Sequence, residues 1–220
     1  MSMNVTKAVS SRKSTRGFLK KSISNSLIKE LLYKASRSPS GGNLQPWRIF
    51  VINNKIMNLF LEFQENHPDF DEPEYDIYPP NLIDPYRSSR YKLGEDMYSL
   101  LGIPREDKMG RLEQAAKNFN FFDAPAGLFC FIDKRMGPPQ WSDLGMFLQT
   151  FMLLAQEQGV ATCAQECWSL KHQMVKKFIG ADKNLMLFCG MAIGYEDKKN
   201  LINKLSSSRE PLDTWVEFIK

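Results

Sequence analysis

The chain is poor in the residues that run metal and triad chemistry. It has two histidines, His67 and His172, and four cysteines, Cys130, Cys163, Cys167 and Cys189. Cys163 and Cys167 have no second pair or nearby histidine to complete a zinc site, and a histidine-based triad has little to draw on, so no metal and no side-chain nucleophile is expected. Three of the cysteines sit in strongly apolar stretches. This reads as free thiols in a reducing compartment and predicts a cytoplasmic protein. No run approaches the roughly 18 apolar residues of a membrane span, and the polar stretch Met1 to Arg16 does not read as a secretory leader. An excess of one charge is also missing: 29 basic residues against 25 acidic ones leave +4. The basic residues are dispersed and do not interleave with aromatics, which argues against a nucleic-acid surface. Neither G-x-G-x-x-G after a strand nor a Gly-Lys-Ser/Thr phosphate loop occurs, so any bound nucleotide phosphate must be held by scattered arginines. Without repeats, low-complexity tracts or linkers, 1–220 is expected to be a single domain.

What is present suits a packed core: 220 residues, 43% of them hydrophobic and 25% charged. Ser24 is positioned to cap a helix carrying Leu27, Ile28, Leu31, Leu32 and Ala35, which should stop before Pro39. Arg48 to Ile52 reads as a buried strand and Lys55 to Glu65 as a helix. The stretch 67–85 holds five prolines with Tyr75 and Tyr78; it cannot be regular and is long enough to suggest a functional role. Helices are expected over Tyr86 to Leu101, Glu106 to Asn118, Trp141 to Gln158 and Leu170 to Ile179. Strands are expected over Gly127 to Ile132, Val160 to Ala164 and Leu185 to Ile193. Gly190 and Gly194 read as close-packing positions in the last strand. Trp141 to Gln158 is apolar on more than one face, as a central or interface helix is. The polar tail from Ser206, with anchors Leu212, Trp215, Val216 and Phe218, is expected to wrap a partner surface. Irregular alternation of helices and strands favours α+β.

Three segments look chemical. Ser11-Arg12-Lys13-Ser14-Thr15-Arg16 concentrates cations and hydroxyls that can chelate an anion, although a solvated terminal arm would look similar. Pro39-Ser40-Gly41-Gly42-Asn43-Leu44-Gln45-Pro46-Trp47 combines small residues, which let a ligand approach the backbone, with two amides and a large apolar plate. A plain turn requires none of the last three. The third segment, around Arg209 and Glu210-Pro211, is uninformative alone.

In order and spacing these segments resemble the nitroreductase family. Arg12-x-Ser14-x-Arg16-x-Phe18 is followed by Pro39 to Trp47, Phe121-Phe122-Asp123-Ala124-Pro125, Asp143-x-Gly145-Met146-x-Leu148-Gln149, Cys189-Gly190-Met191-x-x-Gly194-Tyr195, and Asn203-Lys204-Leu205 to Arg209-Glu210-Pro211. The similarity is greatest to the branch containing nitrobenzoate reductases, through the Tyr/Pro insert and Gly94-x-Asp96-x-Tyr98-x-Leu100-Leu101-Gly102-Ile103.

This resemblance implies a nitroreductase-like α+β fold: a mixed, mainly antiparallel central sheet flanked by helices, in an intertwined homodimer with two FMN sites at the interface. It implies that Arg12, Lys13, Ser14, Arg16 and Arg209 hold the phosphate and flavin edge. It also implies that Pro39, Ser40, Gly41, Asn43 and Gln45 reach the flavin of the other subunit, and that Gln165 and Glu166 form a turn whose backbone N–H meets flavin N5. Ala164 and Cys167 replace the Pro and Gly the family often has there. Asn118 and Asn120 lie near a further contact position. The implied activity is ping-pong two-electron reduction of nitroaromatic, quinone or similar acceptors with NADH or NADPH as donor. The flavin carries the chemistry and no catalytic side chain is expected. The same fold can serve dehalogenation, enone reduction, flavin fragmentation or a flavin sensor, and the sequence alone leaves these open.

Overall fold

In the computed structural model, which describes residues 3–219, the chain runs α1 (Val5–Ser11), α2 (Asn25–Ala35), β1 (Arg48–Asn53), α3 (Lys55–Glu65), α4 (Tyr86–Leu100), α5 (Lys108–Ala116), β2 (Ala126–Asp133), α6 (Pro138–Glu157), β3 (Ala161–Gln165), α7 (His172–Ile179) and β4 (Leu185–Gly194). The strands form one four-stranded sheet in the order β1-β2-β4-β3. All strand pairings are antiparallel. The only parallel part among the described residues is a single bridge from Ser14 to Thr162, which accounts for the mixed character expected.

β2 shows why a strand buried on both faces reads as an unbroken apolar run. Leu128, Cys130 and Ile132 point to a core shared with Ile28 and Leu31 of α2 and Phe147 and Phe151 of α6. The alternate residues Phe129 and Phe131 point to a second core with Phe60 of α3, Trp168 and Val175 of α7. Gly190 on β4 is required by packing: a Cβ there would collide with the Trp168 ring, and one at Gly194 would lie 2.6 Å from Pro125 Cδ. Between Cys130 and Phe131 the register jumps from Cys189 to Leu187, so Phe188 is the extra residue of a bulge.

Several boundaries differ from the sequence reading. α1 was not expected, since Ala8 is its one buried residue; Asn4 caps it by accepting from Lys7 N–H at 2.9 Å. α6 begins at Pro138, because prolines are tolerated in a helix's first turn. The helices expected over Glu106 to Asn118 and Leu170 to Ile179 are trimmed by 3-10 turns, Lys117–Asp123 and Glu166–Lys171. The first turn is forced by left-handed backbone at Phe121, Phe122 and Asp123. It buries both phenylalanines, which offsets the local strain.

Candidate functional site

The Arg12 to Arg16 segment is fixed by the edge of the sheet. Ser14 bridges Thr162 of β3, and Thr15 N–H donates to Thr162 O at 3.0 Å. From the far end of the chain, buried Asn203 accepts from Arg16 N–H at 2.9 Å and donates to Gly17 O at 2.7 Å and Asp197 O at 2.9 Å. The segment is therefore a ledge and not a solvated arm. It forms one wall of a cleft of about 640 Å³, whose other wall carries Lys198, Lys204, Ser207 and Arg209.

Lys13 is largely neutralised within the ledge: its Nζ lies 2.7 Å from Glu196 Oε1 and donates to Asn203 O at 2.5 Å. Arg12, Arg16, Lys198, Lys204 and Arg209 leave the cleft strongly positive. The Arg209 guanidinium donates to Ser207 Oγ and Ser208 O, each at 2.8 Å, within its own loop. Behind Ser14, burial pushes the Cys163 thiol above its ordinary pKa against the opposing fields of Arg16 and Arg12. That thiol is a packing group.

Arg16 also lines a second cavity, of about 360 Å³, with Ile77, Tyr78, Met97, Tyr98, Asn118 and the turn Ala164 to Cys167. The Gln165 side chain is turned inward: its Nε2 donates to Asn118 O at 2.6 Å, and its Oε1 accepts from Trp168 Nε1 at 3.4 Å. Glu166 is exposed as a residue, yet partial burial of its carboxyl raises its pKa. Asn118 thus supports the turn from behind. Asn120 lines neither cavity and donates to Asp123 Oδ1 at 3.2 Å.

Pro39 to Gln45 lines neither cavity of its own chain. It projects beside α6, where Gly41 N–H donates to buried Asp143 Oδ1 at 3.2 Å and Trp47 stacks on Phe147 at 4.8 Å. Ser40 Oγ accepts from Gln45 N–H at 3.0 Å. Asn43 and Gln45 hold left-handed backbone, φ 56° and 49°, at a cost of about 1–2 kcal/mol per residue. Five consecutive exposed residues, Gly41 to Gln45, therefore form a preset, strained loop on the outside of the chain.

The matching family model, described as the nitroreductase family, covers residues 9–195. The chain belongs to the nitroreductase family. A 4-nitrobenzoate reductase from Pseudomonas putida is 35% identical over 96% of this chain and 93% of its own length. A nitrobenzene nitroreductase from Ectopseudomonas oleovorans is 32% identical over 94% and 93%. Among solved structures, the FMN and NADPH-dependent nitroreductase NfnB from sphigopyxis sp. strain HMH superposes with a TM-score of 0.94 at 38% identity, covering 99% of this chain and all of that one. The nitroreductase-like α+β fold expected from the motifs is thus borne out. Sequence reasoning had given no role to Asn203 or Glu196, which set the ledge, nor to Tyr98, which lines the inner cavity. Asn203 stood inside a matched motif, and its buried polar chemistry was the available signal.

Proposed function

We propose that this nitroreductase-family chain is an FMN-dependent oxidoreductase that takes reducing equivalents from NADPH or NADH and passes them to nitroaromatic, quinone or similar acceptors. The observation that carries this reading is the continuity of a cationic cleft with an aromatic-walled cavity through Arg16. The donor set fits the cofactor: guanidinium and ammonium groups for a phosphate, hydroxyls for a polyol chain, and flat side chains around a ring. Arg12, Arg16 and Arg209, with Ser14, would hold the phosphate; the turn at Gln165 and Glu166 would face the ring. When bound, FMN supplies two-electron chemistry. The chain contributes binding, orientation and electrostatics. Lys13 acts within this scheme through Asn203 and Glu196, by setting the ledge.

The working unit in this reading is a homodimer of single-domain chains, located in the cytoplasm. Its support is the loop Pro39 to Gln45, preset and exposed but remote from its own cleft, as a loop serving a partner's site would be. Leu212, Trp215 and Phe218, exposed at 58, 67 and 80%, are suited to the same interface. Initial rates with NADPH and 4-nitrobenzoate test the mechanism. A pocket used in turn by donor and acceptor gives parallel double-reciprocal lines; intersecting lines would show both bound together and overturn the single-pocket scheme.

A further inference from the structure

The insert between α3 and α4 has no helix or strand, yet its first half is tied down tightly. Lys171 Nζ donates to His67 O at 3.0 Å and Pro68 O at 3.1 Å. Asp71 accepts from Gln173 N–H at 2.8 Å at the start of α7. The centre of the attachment is Glu74. Its Oε1 lies 2.7 Å from Lys134 Nζ, and its Oε2 lies 2.9 Å from Lys176 Nζ and 3.4 Å from His172 Nδ1. The side chains of Glu74, Lys176 and His172 are 14, 12 and 10% exposed, so the carboxylate is clasped away from water. Burial pushes the Glu74 carboxyl up, but hydrogen bonds from Lys134 and Lys176 and the field of His172 outweigh it and hold it below its ordinary value.

The next residue shows how the fold receives this clasp. Tyr75 O–H donates to the carbonyl of Phe188, the bulge residue of β4, and its ring packs between Trp141 and Phe188. A bulge leaves its extra residue out of the ladder, and here the tyrosine hydroxyl takes that carbonyl. Two residues on, Ile77 and Tyr78 line the inner cavity together with Ala164 to Cys167. The latter stretch leads through the Glu166–Lys171 turn into α7, which carries His172 and Lys176. The clasp therefore ties together the two segments that line the cavity.

We infer that Glu74 is a positioning residue for the acceptor: by locking the insert onto α7, it sets the gap between Tyr78 and the Glu166 turn and so the affinity for a flat aromatic substrate. The inference rests on the inner cavity being the acceptor pocket. The test uses FMN-loaded enzyme reduced with dithionite without air, so no nicotinamide step enters, and mixed with nitrobenzene. The concentration dependence of flavin reoxidation separates Kd from the limiting rate. Glu74→Gln and Glu74→Ala should raise Kd by roughly tenfold, equivalent to about 1.4 kcal/mol of lost contact, with limiting rate and FMN affinity unchanged and a lower melting temperature, because the clasp also stabilises the fold. Glu74→Asp should recover part of the affinity, and Lys176→Met should reproduce the loss. An unchanged Kd in Glu74→Ala, or a Kd that rises only together with lost FMN or a lower limiting rate, would overturn the assignment. If nitrobenzene fails to reoxidise even the wild-type enzyme, the proposed function is what fails. Chymotrypsin then decides the clasp: faster cleavage after Tyr75 in Glu74→Gln supports it, and equal cleavage refutes it.

Discussion

Arg12 to Arg16 and the loop around Arg209 face each other across the cleft, but they are held in opposite ways. The first is pinned by β3 through Ser14 and Thr15 and by the buried amide of Asn203. In the second, Arg209 bonds to its own loop through Ser207 and Ser208, and that exposed loop is tied to α4 through Ser89 Oγ, which donates to Glu210 Oε1 at 3.0 Å. A side chain on a pinned backbone has less left to order when the ligand arrives; one on a loosely held loop must have both loop and side chain ordered, which subtracts from what it contributes. Equal charges are therefore unequal in effect.

Substitutions along the two walls test this inequality. Arg16→Ala should weaken FMN binding most, by about 1.5–3 kcal/mol or roughly 10- to 150-fold, because a charge-assisted contact from a side chain on a fixed backbone is lost. Arg16→Lys should recover little if the guanidinium binds as a fork. Asn203→Ala touches no phosphate yet leaves Arg16 N–H without its partner and removes one of the two hydrogen bonds that Gly17 O and Asp197 O each accept. It should destabilise the fold by about 1–3 kcal/mol and weaken FMN as a consequence; thermal melting of apo and loaded protein would show both. Arg209→Ala should cost less, about 0.5–1.5 kcal/mol or roughly 2- to 10-fold in FMN affinity. An Arg209 effect larger than that of Arg16 would reverse the comparison.

The smallest effect concerns pH. Because Glu74 has a depressed pKa in the folded chain, its contribution is present above the ordinary glutamate range and is lost as pH falls through the depressed value. Protection of the insert's backbone amides from hydrogen exchange should decline over that acidic window in wild type and be flat in Glu74→Gln.

The same contrast explains what the sequence made legible. Strands buried on both faces and a helix with a serine cap carry local signals, and Ser24, Leu128 and Phe129 announced them. The arginines stood out by their chemistry. The ledge that orients them did not, because Asn203 and Arg16 are 187 positions apart in the chain and meet only once the fold is assembled. α1 was missed since one buried alanine leaves no periodic stripe. The Lys117–Asp123 turn was missed because left-handed Phe121 and Phe122 run against local preference and are stabilised by tertiary burial. Glu74 carried no motif at all; its partners come from α7 and the loop that follows β2 only through the fold.

The central claim is that this chain holds FMN and turns it over. Anaerobic stopped-flow mixing of the purified yellow protein with NADPH, and separately NADH, followed by 4-nitrobenzoate, tests it directly. The account predicts loss of the flavin absorbance at least as fast as steady-state turnover with one donor, its return on adding the acceptor, and release of FMN and not FAD on denaturation. A colourless protein that does not take up FMN would contradict it, as would a bound flavin that neither donor bleaches at a rate matching turnover.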